Sequence, residues 1–90
     1  MIVARRYLVR GRVQGVGFRY FAEEWARLEG VAGFARNLAD GRVEVVAEGE
    51  AEAVIRFERA IRHGPSGARV DDVLSESAEP GGLHTFLIKS

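Results

Sequence analysis

The sequence predicts an α+β fold. One antiparallel sheet carries two helices on one face, in the order β-α-β-β-α-β plus a short C-terminal strand. Three observations carry this prediction. Apolar residues alternate with a period of two in residues 5–13 and in the runs 31–38 and 42–48. They recur with helical spacing in residues 18–29 and 50–63. The dipeptide Asp40-Gly41 parts the two middle runs, and Asp-Gly favours the tight turn of a hairpin.

In residues 5–13, Tyr7, Val9 and Val13 share one parity and Arg6, Arg10 and Arg12 the other, as in a half-buried strand. Gly11 falls on the inward parity, where it marks a bend or a close backbone approach. Phe18, Phe21, Trp25 and Leu28 then lie at i, i+3, i+7 and i+10, with Ala22 and Ala26 alongside. Glu23, Glu24, Arg27 and Glu29 take the wet side of this helix, and Gly30 is its C-cap. In the hairpin, Phe34 and Leu38 share one parity and Val43, Val45 and Ala47 another, giving one covered face. The second helix turns Val54, Phe57 and Ile61 inward beside Ala53 and Ala60, and Gly64-Pro65 ends it. Residues 68–77 alternate weakly through Val70 and Leu74, as an edge or mixed strand. Pro80-Gly81-Gly82 turns the chain into a last strand, Thr85–Ile88.

Right-handed crossovers put both helices on the same side of the sheet. The result is a ferredoxin-like two-layer sandwich. Its expected core is Tyr7, Val9, Val13, Phe21, Trp25, Leu28, Val43, Val45, Val54, Phe57 and Ile61. Such a fold hosts many activities and selects none.

Bulk properties narrow the field. Ninety residues make a single domain, 1–90, with 47% hydrophobic and 29% charged residues. The formal net charge is zero, which argues against binding nucleic acid or a membrane surface by charge alone. The segment before Glu23 is nevertheless basic, through Arg5, Arg6, Arg10, Arg12 and Arg19. With no cysteine, disulfides, thiolate catalysis and cysteine-based zinc sites drop out. No apolar run reaches membrane-spanning length and no cleavage signature is present, so a cytoplasmic protein is expected.

The most informative stretch is Gly11-Arg12-Val13-Gln14-Gly15-Val16-Gly17-Phe18-Arg19. A glycine-rich loop entering a helix offers backbone N–H groups as an anion cradle. Arg19 would stand in the first helical turn, where a cation opposes the macrodipole unless an anion sits beside it. A site for a phosphate-sized anion follows; a plain β-to-α turn with a solvated arginine is the competing reading. Other phosphate loops do not fit. The only lysine is Lys89, so no Walker motif exists, and Tyr20 stands where a dinucleotide fingerprint needs glycine. A cradle ending in arginine can also serve a cysteine phosphatase, but without cysteine the nucleophile must be water.

Asn37, near the Asp40-Gly41 turn, is the best internal candidate to hold that water, because an amide both accepts and donates. On spacing alone, an asparagine that merely satisfies a turn is favoured. His63 reads as a helix-end cation, and His63 and His84 are too far apart in sequence for a metal motif. Adjacent Asp71 and Asp72 face opposite ways on a strand, and Asp40 is explained by its turn. Arg12 and Arg36 either widen the positive field or simply line wet strand faces, and Gln14 either orients the loop or lies on the surface.

Together with Gly33-Phe34-Ala35-Arg36-Asn37-Leu38-Ala39-Asp40-Gly41-Arg42-Val43-Glu44, the first motif closely resembles the acylphosphatase family. The likeness spans the whole chain, including Gly64-Pro65 and the Ala68-Arg69-Val70 that follows. It implies hydrolysis of the carboxyl-phosphate bond of a small-molecule acyl phosphate to carboxylate and inorganic phosphate. It also implies no metal, no cofactor and no covalent phosphoenzyme. By resemblance, Arg19 binds the phosphoryl group, Asn37 positions the attacking water, and the backbone of Gln14, Gly15, Val16, Gly17, Phe18 and Arg19 is the phosphate cradle. The family usually has tryptophan and a β-branched residue before Arg-Asn. Phe34-Ala35 stand there instead, both smaller. Two other classes compete: a non-catalytic anion-binding module, and a ferredoxin-like RNA binder. Residues 42–48 carry no aromatic for the latter to stack on. The reading needs no second subunit, so a monomer is expected.

Overall fold

Seven elements follow one another in the predicted order in a computed structural model that describes residues 1–90. They are β1 (Ile2–Arg12), α1 (Phe18–Glu29), β2 (Ala32–Asn37), β3 (Val43–Glu50), α2 (Ala51–His63), β4 (Arg69–Ala78) and β5 (Phe86–Lys89). The strands form one sheet in the order β4-β1-β3-β2-β5. No helix is long and apolar enough to cross a membrane.

β1 and β3 occupy the interior of the sheet, and their register pairs Tyr7 with Val45 and Val9 with Val43. These four side chains have no exposed surface and form the floor of the core. Val54, Phe57 and Ile61 of α2 close it from above. A fully buried side chain of this size contributes roughly 1.5–3 kcal/mol. In the hairpin, the Leu38 N–H donates to the Arg42 carbonyl at 2.8 Å.

Three expectations are corrected. The first concerns α1, whose buried residues are Phe18, Ala22 and Ala26. Phe21 and Trp25 are only partly covered, and Leu28 is 59% exposed. The two alanines let the helix lie close on the sheet, which rotates the larger aromatics towards α2. The second concerns β2. Ala35 pairs with inward Val45 and is fully buried, so Phe34 faces the open side of the sheet. There the Lys89 ammonium lies 4.1 Å from the Phe34 ring centroid. The third is that the sheet is not wholly antiparallel, because β5 pairs with β2 in parallel. After β4, at one edge, residues 79–85 cross to the opposite edge, and the chain then runs alongside β2.

Glu48 fastens that crossing. Its carboxylate accepts the N–H groups of Gly81, Gly82 and Leu83 at 2.7, 2.9 and 3.2 Å. Three backbone donors on one buried carboxylate replace the water it loses.

Gly11 makes the close approach that its parity predicted. The β1–β4 register slips between Arg10 and Gly11. The Gly11 φ is 133°, and a Cβ at this position would run into the Arg69 carbonyl oxygen. Strain and overpacking then add. Gly11→Ala is expected to lose about 3 kcal/mol of stability, read as a lower urea midpoint with an unchanged slope. A midpoint within error of the parent would show that β4 can step aside.

Candidate active site

β1, β2 and β5 all finish at one end of the sheet, where β3 and α1 begin. Residues 13–17 bridge β1 to α1 at this end. Gly15 and Gly17 adopt φ values of 74° and 77°, in the left-handed region that glycine enters freely. Gly17 is the N-cap of α1; no side chain caps the helix and no acidic residue occupies its first turn. The Phe21 N–H donates to the Gly17 carbonyl at 2.9 Å, but no N–H from Gly15 to Tyr20 has a backbone partner. Successive unpaired donors at a helix N-terminus form a concave nest suited to an anion. Phe18 is buried in the core, so only its backbone faces the loop.

A cleft of 210 Å³ opens over this nest, lined by Val13, Gly15, Gly17, Phe18, Arg19, Tyr20 and Asn37. A larger groove of 430 Å³ lies between the helices, over Phe21 and Trp25. Only the smaller cleft joins a glycine-rich nest to a guanidinium and a carboxamide. It has no acidic lining residue. Arg19 reaches across to β5, where its Nη1 donates to the Lys89 carbonyl at 2.8 Å. That bond fixes the guanidinium and leaves four of its five N–H donors for a ligand.

Asn37, the last residue of β2, brings its side chain into the same cleft. The turn after it is closed by Leu38, Gly41, Arg42 and the Asp40 carboxylate, without help from the Asn37 amide. Gln14 has a different part. Its Nε2 donates to the carbonyls of Leu38 and Arg42 at 2.8 and 3.0 Å, which ties the loop to the hairpin carrying Asn37. Both side-chain donors of Gln14 are therefore committed, and any contact it makes with an anion is through its backbone.

The remaining candidates lie apart. Arg36 is bound to Glu44 on the open face of the sheet, so it does not widen the positive field of the cleft. Arg6 donates to the same carboxylate at 2.6 Å and to Glu76 at 2.7 Å. Burial pushes the Glu44 carboxyl up, but hydrogen bonds from Arg6 and Arg36 outweigh it and hold the group below the usual carboxylate range. Arg12 is exposed at the end of β1. His63 faces the inter-helix groove, and His84 lies in the 79–85 crossing. Asp71 pairs with Arg69 at 2.9 Å, and Asp40 pairs with Arg42 at 2.8 Å.

Two groups at the cleft escape the sequence reading. The Lys89 carbonyl is a backbone group with no side-chain signature. Tyr20 does leave a signal, because it falls off the apolar stripe of α1 and is 65% exposed.

Comparison with known proteins adds an independent line. Residues 5–88 match the family model described as Acylphosphatase. The chain is 52% identical over 79 residues to an acylphosphatase of Thermus thermophilus, covering 88% of this chain and 90% of that one. It is 48% identical over 81 residues to an acylphosphatase of Deinococcus radiodurans, covering 90% and 93% respectively. The crystal structure of acylphosphatase from Bacillus subtilis superposes with a TM-score of 0.95 at 40% identity, over the full length of both chains.

Proposed function

The chain belongs to the acylphosphatase family and is a hydrolase acting on acyl phosphates, and from that premise we propose how its cleft performs the reaction. The phosphoryl group lies in the nest formed by the backbone of residues 14–19, with the Arg19 guanidinium bridging two of its oxygens. The Asn37 carboxamide accepts a hydrogen bond from the attacking water and donates one to a phosphoryl oxygen. Water then attacks phosphorus, the bond from phosphorus to the carboxyl oxygen breaks, and a carboxylate and inorganic phosphate leave.

The observation that carries this reading is the convergence in one 210 Å³ cleft of the glycine nest, the Arg19 guanidinium and the Asn37 carboxamide. Phosphoryl transfer depends mainly on positioning and on stabilising spread negative charge. Fixed N–H dipoles and a planar guanidinium supply both without reorganising during the reaction. A carboxylate is a stable leaving group, so the absence of an acidic lining residue is no obstacle. The proton of the attacking water passes to a phosphoryl oxygen of the substrate. A negative wall would instead repel the substrate, and the cleft has none.

The reading needs no metal, and no three His, Asp or Glu side chains cluster to hold one. Hydrolysis of benzoyl phosphate is expected to proceed at the same rate in EDTA as in added Mg²⁺. An ordinary phosphate monoester, with its poorer alkoxide leaving group, is expected to be hydrolysed at least about 10³-fold more slowly. Benzoyl phosphate hydrolysis that stops in EDTA and returns with metal would overturn the proposed mechanism.

A further inference from the structure

We propose that Tyr20 determines which acyl group this enzyme prefers, by offering its ring as a platform for a flat or bulky acyl chain. The proposal rests on the cleft reading above and concerns the half of the substrate that reading leaves unassigned. Once the nest and Arg19 take the phosphoryl group, the acyl group must point out of the cleft. The walls around it are sparse. Gly15 and Gly17 have no side chains, and Val13 and Phe18 are buried with 1% and 2% exposure. Tyr20 is the large exposed side chain on that lining, at 65%.

The fold makes no evident use of this ring. It lies outside the core cluster, and the aromatic contacts of α1 run from Phe18 to Phe21 and from Phe21 to Trp25 without it. Its place is nevertheless well defined. It follows Arg19 directly in the first turn of α1, which the bond from the Phe21 N–H to the Gly17 carbonyl closes at 2.9 Å. An aromatic face so placed gains from stacking on a planar group and from covering apolar surface. A benzoyl group offers both, whereas an acetyl methyl offers little of either. A stacking contact of this kind corresponds to roughly a 3- to 10-fold preference.

The test compares kcat/KM for benzoyl phosphate and acetyl phosphate in the parent, Tyr20→Ala and Tyr20→Phe. The ratio of benzoyl to acetyl is expected to fall about 3- to 10-fold in Tyr20→Ala and to be kept in Tyr20→Phe. A ratio unmoved by Tyr20→Ala would overturn the proposal. So would a ratio that falls as far in Tyr20→Phe, since the hydroxyl and not the ring would then matter. Competitive inhibition by inorganic phosphate, which has no acyl group, separates acyl contact from damage to the nest. If it weakens as much as benzoyl phosphate use does, the acyl role is overturned. Failure of the parent to hydrolyse either substrate would instead strike the cleft reading itself.

Discussion

Arg19→Ala is expected to lower kcat/KM for benzoyl phosphate by about 10³-fold or more, and to abolish competitive inhibition by inorganic phosphate. The size follows from what one well-placed arginine supplies to a phosphoryl transition state, roughly 10³–10⁵ in rate. Arg19 is not needed to hold the fold. Its side chain makes one hydrogen bond within the chain, to the Lys89 carbonyl, and it lies outside the core. The variant should therefore unfold at a urea concentration close to that of the parent. Arg19→Lys is a sharper probe. It keeps the charge but loses the fork that spans two oxygens while still bonding to the carbonyl. It should recover part of the phosphate binding and little of the turnover. Activity of Arg19→Ala within tenfold of the parent would remove the guanidinium from the mechanism.

Asn37→Ala should separate turnover from binding. The nest and Arg19 are untouched, so inhibition by inorganic phosphate should stay within about threefold of the parent. The attacking water, however, loses its partner, and kcat should fall by about 10²–10³-fold, the usual cost of losing one preorganised polar contact in a reacting site. Fold stability should change little, because the turn after Asn37 is closed by other groups. Asn37→Asp should be inactive for a further reason, since a carboxylate there would repel the phosphoryl oxygens. A kcat for Asn37→Ala equal to that of the parent would mean that the water is held elsewhere.

These two residues were legible in the sequence to different degrees. Arg19 announced itself, because a cation in the first turn of a helix after a glycine loop is electrostatically costly without an anion. Asn37 did not, because an asparagine before a turn has an ordinary explanation. It took the structure to show that the turn is closed without it. The need for a group to hold water singles out Asn37, and the family resemblance, through the Arg36-Asn37 motif, gives it a role. Periodicity found every element but misjudged some faces. In β2 the bulky Phe34 looked like the inward residue, yet cross-strand register with Val45 puts the small Ala35 inside. In α1 the aromatic stripe looked like the buried face, yet Ala22 and Ala26 are the residues against the sheet. Size misled in both cases, because close packing of layers favours small side chains. The direction of β5 had no sequence signal, since it follows from which edge of the sheet the chain reaches after β4.

The Glu48 clasp on the 79–85 crossing has a consequence for how the protein is made. Arg19 and its carbonyl partner are 70 residues apart. A ribosome adding about 5–20 residues per second needs roughly 4–14 s to span that interval. The glycine loop is made before it and Asn37 and Glu48 during it, but the strand that steadies Arg19 does not yet exist. Only when Gly81, Gly82 and Leu83 are made can the waiting carboxylate catch them and lead β5 to the edge beside β2. A growing chain would thus carry an incomplete cleft until Lys89 is translated. An acyl phosphate would first meet an assembled cleft only after β5 has paired with β2.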